Sequence, residues 1–387
     1  MNIPFSKVSL AGNESKYIQE VLASGWLTTS AKALSFENQF AQYLGVKHAC
    51  AVNSCTSALH LAVEASGIKQ GDHVLVPSLT FTASAEIIRY MGADPVFMDV
   101  EYGTGLISPS LLKESLKNHP DIKALILVHF GGQAPAMTTP DKDGIMDICR
   151  KNNIAVIEDA AHAFPTKFNG QYVGTYGKAG CFSFYANKTI TTGEGGMLVT
   201  NDEAVYERVK IMRLHGINRD IWSRFTDKSQ SWEYDVVAPG FKYNMPDINA
   251  AVGLAQLEKA SYFRAERQRC AAFYLQELNG ISVLDLPVCL GSSENHSWHL
   301  FPVKLKPEAP VSRNVFMELM AKKGIGTSVH YKPLHRMLYY KETYHLNEKD
   351  FPNTERIWNG TVSLPVYPDL THSELLYICQ TIKEILI

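Results

Sequence analysis

A chain of 387 residues is too long for one simple core, and it predicts two domains or one large domain with a smaller appendage. Apolar residues make up 45% and charged residues 20%, which is ordinary for a folded globular protein. The 37 basic and 39 acidic residues give a net charge of −2, which offers no reason to expect nucleic acid or an anionic membrane as a partner.

The cysteines predict a reducing compartment, and the N-terminus predicts that the chain is not secreted. The seven cysteines are scattered without a Cys-x-x-Cys pair, so buried free thiols are favoured over disulfides or a metal site. Residues 1–6 contain no basic region followed by an apolar run, and no segment approaches eighteen uninterrupted apolar residues. We therefore expect a cytoplasmic protein without a signal peptide or a transmembrane helix.

The first half of the chain alternates helical periodicity with short apolar runs. Helices are predicted over 14–24, 35–44, 56–66, 83–91, 110–117 and 144–152, and strands over 48–52, 74–77, 95–100, 124–128 and 154–157. Continuous apolar strands separated by helices indicate a mostly parallel sheet that is covered on both faces. Ligands of such sheets bind beyond the carboxyl ends of the strands.

Two strand ends carry the residues that suggest a chemistry. The apolar segment 180–187 leads to Lys188, a Gly-rich turn follows, and the strand over 154–157 leads to Asp159. A lysine amine can form a Schiff base with pyridoxal phosphate (PLP), and a carboxylate can keep the pyridine nitrogen of PLP protonated. This pair of strand ends therefore suits an enzyme that holds PLP.

Each of these residues also has a simpler interpretation. Lys188 could be a surface lysine at a corner, and Asp159 could cap a helix after its strand. Ser54, Thr56 and Ser57 could likewise be capping residues, although a hydroxyl-rich helix N-terminus after a strand is equally a phosphate cradle.

The pattern changes after about residue 250. One long amphipathic helix is predicted over 249–278, and strands over 298–303 and 363–366, with helices between and after them. We interpret 1–250 as a large domain and 251–387 as a smaller α+β domain. No metal site is predicted, because Pro333 separates His330 from His335 and no Cys or acid completes a ligand set.

Taken together, these segments resemble the DegT/DnrJ/EryC1/StrS family of PLP-dependent nucleotide-sugar aminotransferases. The resemblance covers nearly the whole chain, and its motifs lie at 24–29, 71–81, 158–163, 182–188, 193–196, 215–216 and 239–251. It implies aminotransferase fold type I, an α/β fold with a mostly parallel sheet in the large domain and a smaller C-terminal α+β domain. The segments 240–244 and 324–330 are most similar to 4-aminotransferases such as the one that makes UDP-4-amino-4-deoxy-L-arabinose.

The resemblance also implies roles for individual residues. Lys188 is the Schiff-base lysine, Asp159 pairs with the pyridine nitrogen, Phe81 stacks on the ring, and His162 lies near the phenolic oxygen. Thr56, Ser57 and Ser183 correspond to phosphate-binding positions, and Lys242 and Asn244 to a loop that reaches the partner subunit's cofactor. The implied substrate-binding residues are Trp26, Thr29, Tyr185, His215 and His330.

The implied activity is transfer of an amino group, from glutamate by family habit, to a nucleotide-linked 4-ketosugar for surface polysaccharide or lipopolysaccharide synthesis. The implied assembly is a homodimer with shared active sites. The chain departs from the family at Cys55, where many members have Gly, and at Lys242-Tyr243-Asn244, where many have Asn-Tyr-Arg. A PLP-dependent sugar dehydratase and a non-catalytic PLP-binding regulator are the alternatives; relatives that are dehydratases carry His in place of the lysine, so Lys188 favours amino transfer.

Overall fold

The structure, a computed structural model, describes residues 1–218, 234–292 and 295–387, and it has the predicted α/β fold. Its strands are β1 (His48–Val52), β2 (His73–Pro77), β3 (Asp94–Met98), β4 (Ile122–Val128), β5 (Ala155–Asp159), β6 (Lys167–Phe168), β7 (Gln171–Tyr172), β8 (Ala179–Ser183), β9 (Gly196–Thr200), β10 (Leu284–Asp285), β11 (Phe301–Leu305) and β12 (Thr361–Leu364). Seven of them form one sheet in the order β1-β9-β8-β5-β4-β2-β3. Within it β9 is antiparallel to both neighbours and the other pairs are parallel, which confirms the mostly parallel sheet.

The helices cover both faces of this sheet and continue into the C-terminal part. They are α1 (Glu14–Ser24), α2 (Ala31–Leu44), α3 (Cys55–Ala65), α4 (Ala83–Tyr90), α5 (Pro109–Asn118), α6 (Ile145–Lys151), α7 (Glu203–Met212), α8 (Asp247–Leu257), α9 (Ala260–Glu277), α10 (Arg313–Lys322), α11 (Leu338–Thr343), α12 (Pro352–Gly360) and α13 (His372–Leu386). Helix α2 begins before the predicted residue 35 because its first N–H groups find a distant acceptor. The backbone N–H groups of Lys32 and Ala33 donate to the Asp247 carboxylate at 3.1 and 3.0 Å.

The single long helix predicted over 249–278 is wrong, because the chain forms α8 and α9 with a break between them. Lys259 leaves the helical region, with φ −104° and ψ 4°. Its ammonium pairs with Glu14 of α1, and the neighbouring Glu258 accepts hydrogen bonds from Asn13 (2.8 Å) and Tyr17 (2.5 Å). Contacts with α1 therefore set the break, without a proline or a glycine at that point.

Two hydrophobic cores organise the chain. The larger surrounds the seven-stranded sheet, and the smaller lies against the three-stranded sheet β10-β11-β12, where Tyr274, Phe301 and Phe316 are fully buried. Ile3 joins the smaller core, and its N–H donates to the Gly324 carbonyl at 2.8 Å. The N-terminus thus contributes to the C-terminal core, and the domain boundary at residue 250 stays a prediction.

Two further observations bear on the predicted compartment. All seven cysteines are free thiols, and every one except the half-buried Cys289 is buried. None of the helices in the described ranges combines the length and the apolar character needed to cross a membrane.

Candidate active site

A cavity of about 400 Å³ lies beyond the carboxyl ends of the parallel strands. Its walls come from the segments that follow β1, β2, β5 and β8, together with the turn before β9 and residues 330–331. Eight of the predicted site residues line it: Thr56, Phe81, Asp159, His162, Ser183, Tyr185, Lys188 and His330.

Lys188 lies in a turn, so its predicted place at the end of a strand is wrong. Strand β8 ends at Ser183, and the Lys188 N–H donates to the Tyr185 carbonyl at 3.0 Å. Burial lowers the pKa of the Lys188 amine to about 8, against the opposite influence of Cys55 and Asp159. The amine Nζ lies 3.5 Å from His299 Nε2. An amine with a pKa near neutrality can both take up and release a proton.

Asp159 is the last residue of β5, and its carboxylate is held from two sides. Oδ2 accepts a hydrogen bond from the Ser84 hydroxyl at 2.7 Å, and Oδ1 accepts one from the Ala161 N–H at 3.2 Å. Burial raises its pKa against these two bonds and the nearby Lys188. The segment that follows is a turn, not a helix, which removes the helix-cap interpretation. In the described ranges no Lys, Arg or His forms an ion pair with this carboxylate.

The neighbouring Glu158 has a different role, because it does not line the cavity. Its carboxylate accepts from the backbone N–H groups of Gly174, Tyr176 and Gly177, each at 2.7 Å, and contacts His129 Nε2 at 2.8 Å. Every oxygen is thus already paired inside the fold. Of the two adjacent acids, only Asp159 faces the cavity.

The N-terminus of α3 forms a second, hydroxyl-lined wall. Ser54 caps the helix, accepting from the Ser57 N–H at 3.1 Å, and Ser54 and Thr56 line the cavity. The Ser57 hydroxyl instead donates to Asn53 at 2.6 Å and lies outside the lining. Gly196 permits this arrangement, because a Cβ there would lie 2.4 Å from the Ser54 carbonyl carbon. A helix N-terminus lined by hydroxyls favours an anion.

Cys55, where the family often has Gly, is accommodated without strain. It is the first residue of α3 and is not among the residues with positive φ, so the position makes no demand for Gly. Burial raises the pKa of its thiol well above the ordinary value, and Asp159 raises it further. The side chain is therefore a neutral thiol in the cavity wall.

Neutral imidazoles surround the lysine. His162 Nδ1 accepts from the Gly131 N–H at 3.3 Å, so the neutral ring carries its proton on Nε2, which donates to the Tyr331 hydroxyl at 2.9 Å. Burial and Lys188 lower the pKa of His162 well below its ordinary value. The pKa of His330, whose Nδ1 lies 2.8 Å from the Ser363 hydroxyl, is lowered to about 4 by burial. Both rings can therefore shape the cavity without adding charge.

Two residues near the cofactor position were not predicted, His299 and Tyr331. Tyr331 lines the cavity, and its ring centroid lies 5.8 Å from that of Phe81. His299 comes from the segment before β11. The one available signal was a polar residue inside the apolar run 298–303, and sequence periodicity alone cannot tell on which face such a residue lies.

Besides Ser57, five predicted residues lie outside the cavity lining: Trp26, Thr29, His215, Lys242 and Asn244. Asn244 Nδ2 donates to the Thr29 hydroxyl at 2.6 Å, and the Lys242 ammonium donates to Asn244 Oδ1 at 2.5 Å. The His215 N–H donates to the Phe241 carbonyl at 2.7 Å, and His215 and Lys242 are exposed. Trp26 lies three residues before Thr29 and is half-buried. Residues 222–233 of the predicted interface loop lie outside the described residues.

The histidines considered for a metal site are held by other partners. His335 is buried between the Ser78 hydroxyl at 2.6 Å and Glu355 Oε1 at 2.7 Å. Within the part of the chain that the structure describes, no three His, Cys, Asp or Glu side chains are grouped to hold a metal ion.

Comparison with known proteins decides the family. The profile of the DegT/DnrJ/EryC1/StrS aminotransferase family matches residues 9–383. The chain belongs to this family. It is therefore an aminotransferase with PLP as its cofactor, as the sequence predicted.

Three individual proteins illustrate the similarity. The spore coat polysaccharide biosynthesis protein SpsC of Bacillus subtilis is 38% identical over 385 residues, which are 99% of this chain and 97% of SpsC. Helicobacter pylori PseC, an aminotransferase involved in the biosynthesis of pseudoaminic acid, is 26% identical with a TM-score of 0.89, covering 100% of this chain and 99% of PseC. The putative sugar aminotransferase Spr1654 of Streptococcus pneumoniae, solved in its PMP form, is 29% identical with a TM-score of 0.89, covering 99% of each chain.

The residues around the cavity fit the family's cofactor. Asp159 is a buried carboxylate that forms no ion pair with a described Lys, Arg or His, and a protonated pyridine nitrogen would neutralise it. The α3 N-terminus and the Thr56 hydroxyl offer donors to a phosphate, and Lys188 offers an amine to an aldehyde.

Proposed function

We propose that this chain transfers an amino group from L-glutamate to a nucleotide-linked 4-ketosugar, giving a 4-amino-4-deoxy sugar nucleotide for a surface polysaccharide such as lipopolysaccharide. The observation that carries the proposal is that Lys188, Asp159 and the N-terminus of α3 face one cavity. The similarity to SpsC, a spore coat polysaccharide biosynthesis protein, and to PseC, an aminotransferase of pseudoaminic acid biosynthesis, supports a sugar substrate.

In this proposal each wall of the cavity holds one part of the cofactor. Asp159 faces the pyridine nitrogen, Thr56, Ser183 and the N-terminus of α3 hold the phosphate, and Phe81 packs on the ring. Bound PLP supplies the electron sink for the bond that breaks at the α-carbon of the amino donor. Ser84 and the Ala161 N–H fix the orientation of Asp159, so its negative charge stays directed at the cavity.

Lys188 is the proposed proton carrier of the reaction. Its pKa of about 8 leaves a substantial fraction of neutral amine near physiological pH. With PLP bound, the neutral amine would take the proton from the donor's α-carbon, and the resulting ammonium would release it again. The two neutral histidines of the wall, His162 and His330, do not compete for that proton, because burial lowers the pKa of both.

Exposed aromatic residues at the cavity support a nucleotide-linked substrate. Phe81 is 55% exposed and Tyr185 49% exposed, although both line the cavity. Flat apolar rings at the mouth of a site can stack on a sugar face or a base. We assign Tyr185 and His330 to the substrate side of the cavity.

We further propose a homodimer whose sites are shared. Lys242 and Asn244 lie outside their own chain's cavity lining, on a face that also exposes Leu27 (47%) and Val236 (62%). Exposed apolar residues beside polar ones are typical of an interface. Trp26, Thr29 and His215 stay predicted substrate contacts, made from this face across the dimer.

Subunit mixing tests the shared site. A Lys188→Ala subunit and a Lys242→Ala/Asn244→Ala subunit are each expected to be inactive, whereas a mixed dimer should carry one intact site and regain activity. If hybrids demonstrably form and no activity returns, the sites are not shared in this way.

The substrate proposal is tested by two half-reactions observed separately. L-glutamate should remove the absorbance band of the lysine-bound cofactor in a single turnover, and the correct ketosugar should restore it. A panel of UDP-, GDP- and dTDP-linked 4-ketosugars would identify the nucleotide. Failure of every sugar to restore the band after glutamate has removed it would refute the proposed acceptor and leave the aminotransferase assignment intact.

A further inference from the structure

His299, a residue outside the predicted site, contacts the Lys188 amine. Its Nε2 lies 3.5 Å from Lys188 Nζ, and the residue is only 6% exposed. Its ring centroid lies 4.4 Å from that of His162, which itself lines the cavity. The histidine therefore stands behind the lysine, on the side away from solvent.

The backbone around His299 is fixed from both sides. The Ser297 N–H donates to the Gly132 carbonyl at 3.1 Å, and the Leu300 N–H donates to the Gly131 carbonyl at 3.2 Å. The Ser297 hydroxyl also donates to the His162 carbonyl at 2.7 Å. Because these bonds flank His299 on either side, its ring has little freedom to move away from the lysine.

A buried arginine also donates hydrogen bonds to the segment that contains His299. Arg267 of α9 is 3% exposed, and its Nη1 donates to the Val366 carbonyl at 2.8 Å and the His299 carbonyl at 3.5 Å. No carboxylate in the described ranges forms an ion pair with it. Burial lowers the pKa of His299 well below its ordinary value, and Lys188, His162 and Arg267 lower it further. The ring is therefore neutral, with a lone pair free to accept a hydrogen bond.

We propose that His299 is a positioning residue for Lys188: its Nε2 accepts a hydrogen bond from the lysine amine whenever that amine is not bonded to the cofactor, and so keeps the amine at the cavity wall. The inference rests on the proposed role of Lys188 as proton carrier. A released lysine on a flexible four-carbon chain has many rotamers, and holding it in one of them keeps it close to the reacting carbons.

Two amide variants of His299 distinguish the loss of the hydrogen-bond acceptor from the change in side-chain volume. In His299→Gln the amide oxygen can reach the position of Nε2, whereas in His299→Asn it reaches only the position of Nδ1. Both replacements are polar, and neither is larger than imidazole. We therefore expect them to affect the stability of the fold to a similar extent. His296→Gln is the matched control, since His296 is buried in the same segment and stacks on Trp298 with centroids 4.0 Å apart.

The first readout is the titration of the Lys188 amine in the full-length chain freed of cofactor. A short pulse of acetic anhydride at pH 6 to 10, followed by mass spectrometry of the peptide, gives the pH of half-maximal labelling. We expect a midpoint near 8 in the wild type. Loss of one acceptor destabilises the ammonium form, so His299→Asn should lower the midpoint by about one pH unit, while His299→Gln and His296→Gln stay near the wild type. The other ionisable groups near this amine, Asp159, Cys55, Arg267, His162 and His330, are unchanged in all variants.

An unchanged midpoint in His299→Asn would overturn the proposal, because the hydrogen bond would then not exist. A raised midpoint would also overturn it, since it would mean that Nε2–H donates to the lysine and occupies the lone pair that must take the proton.

The second readout uses the loaded enzyme. The primary isotope effect with α-deuterated glutamate should rise in His299→Asn and stay near the wild-type value in His299→Gln, because only the proton transfer is slowed. An equal isotope effect in both variants would refute the positioning role. If the wild type itself gives no half-reaction with glutamate, the proposed donor has failed, and the labelling experiment still tests His299.

Discussion

Replacement of Asp159 by Asn is the change that most sharply separates chemistry from folding. Asn is isosteric, and its amide can keep both neighbours: Oδ1 can accept from the Ala161 N–H, and Nδ2 can donate to the Ser84 hydroxyl, which in turn can donate to Thr80, 2.8 Å away. The fold therefore loses no hydrogen bond. What is lost is the negative charge of the Asp159 carboxylate at the cavity wall.

The magnitude follows from the burial of that charge. Leaving one member of a buried ion pair without its partner costs about 3–5 kcal/mol. If that loss falls on the protonated pyridine in the transition state, the half-reaction slows by about 10²- to 10⁴-fold. Stopped-flow absorbance of the glutamate half-reaction measures this rate directly, at saturating cofactor.

The stability of the cofactor-free protein should rise slightly or stay unchanged in the Asp159→Asn variant. Burial raises the pKa of Asp159 in the folded chain, so its favourable contribution is present below the unfolded value near 3.9 and is lost as the pH rises through the folded value. At pH 7 the cofactor-free Asn variant should therefore melt at or slightly above the wild-type temperature. Near-normal transamination in this variant would refute the assigned role of Asp159.

Glu158→Gln provides the contrast. The Glu158 carboxylate accepts three backbone N–H groups and contacts His129, all inside the fold. An amide has one acceptor oxygen, so buried donors lose their partner, at a cost of about 1–3 kcal/mol each. We expect a lower melting temperature with little change in the half-reaction rate of the folded protein.

Three more predictions concern the lysines and one glycine. Lys188→Ala should abolish turnover, and borohydride reduction should no longer attach the cofactor covalently to the chain. Circular dichroism should stay that of a folded protein. Covalent attachment of the cofactor in the variant would refute the assignment. Lys304 is buried with a pKa lowered to about 8, so the wild type should gain stability over Lys304→Met on the order of 2 kcal/mol as the pH rises from 8 towards 10, and a flat difference would contradict this. Gly196→Ala forces a Cβ to 2.4 Å from Ser54 and should weaken cofactor binding at least tenfold (~1.4 kcal/mol). Gly103→Ala, with its nearest contact at 3.5 Å, should leave cofactor affinity as it is in titrations followed by absorbance.

The sequence predicted the elements of the sheet domain because their signals are local. The helix over 14–24 matches α1 and the strand over 48–52 matches β1, since an αL glycine ends the one and a continuous apolar run forms the other. The early start of α2 and the break before α9 depend on Asp247 and Glu14, which are distant in the chain. Such tertiary contacts leave no local pattern.

The site residues likewise fall into those that local sequence signals predict and those that depend on distant contacts. Lys188 and Asp159 could be predicted because each follows an apolar strand segment, and strand ends of one parallel sheet meet at one edge. His299 could not, because its approach to Lys188 depends on the bonds that its neighbours Ser297 and Leu300 make to the distant Gly132 and Gly131. Lys242 and Asn244 were predicted through the family resemblance, and the described residues of a single chain leave them outside its own cavity.

The most direct test of the central claim follows the nitrogen atom itself. The enzyme is incubated with L-[¹⁵N]glutamate and a nucleotide-linked 4-ketosugar, and the sugar product is analysed by mass spectrometry, with Lys188→Ala as the control. The account predicts an amino sugar nucleotide that carries ¹⁵N in the wild type and no product in the variant. A sugar product without ¹⁵N, or one that has lost a hydroxyl group without gaining nitrogen, would contradict it.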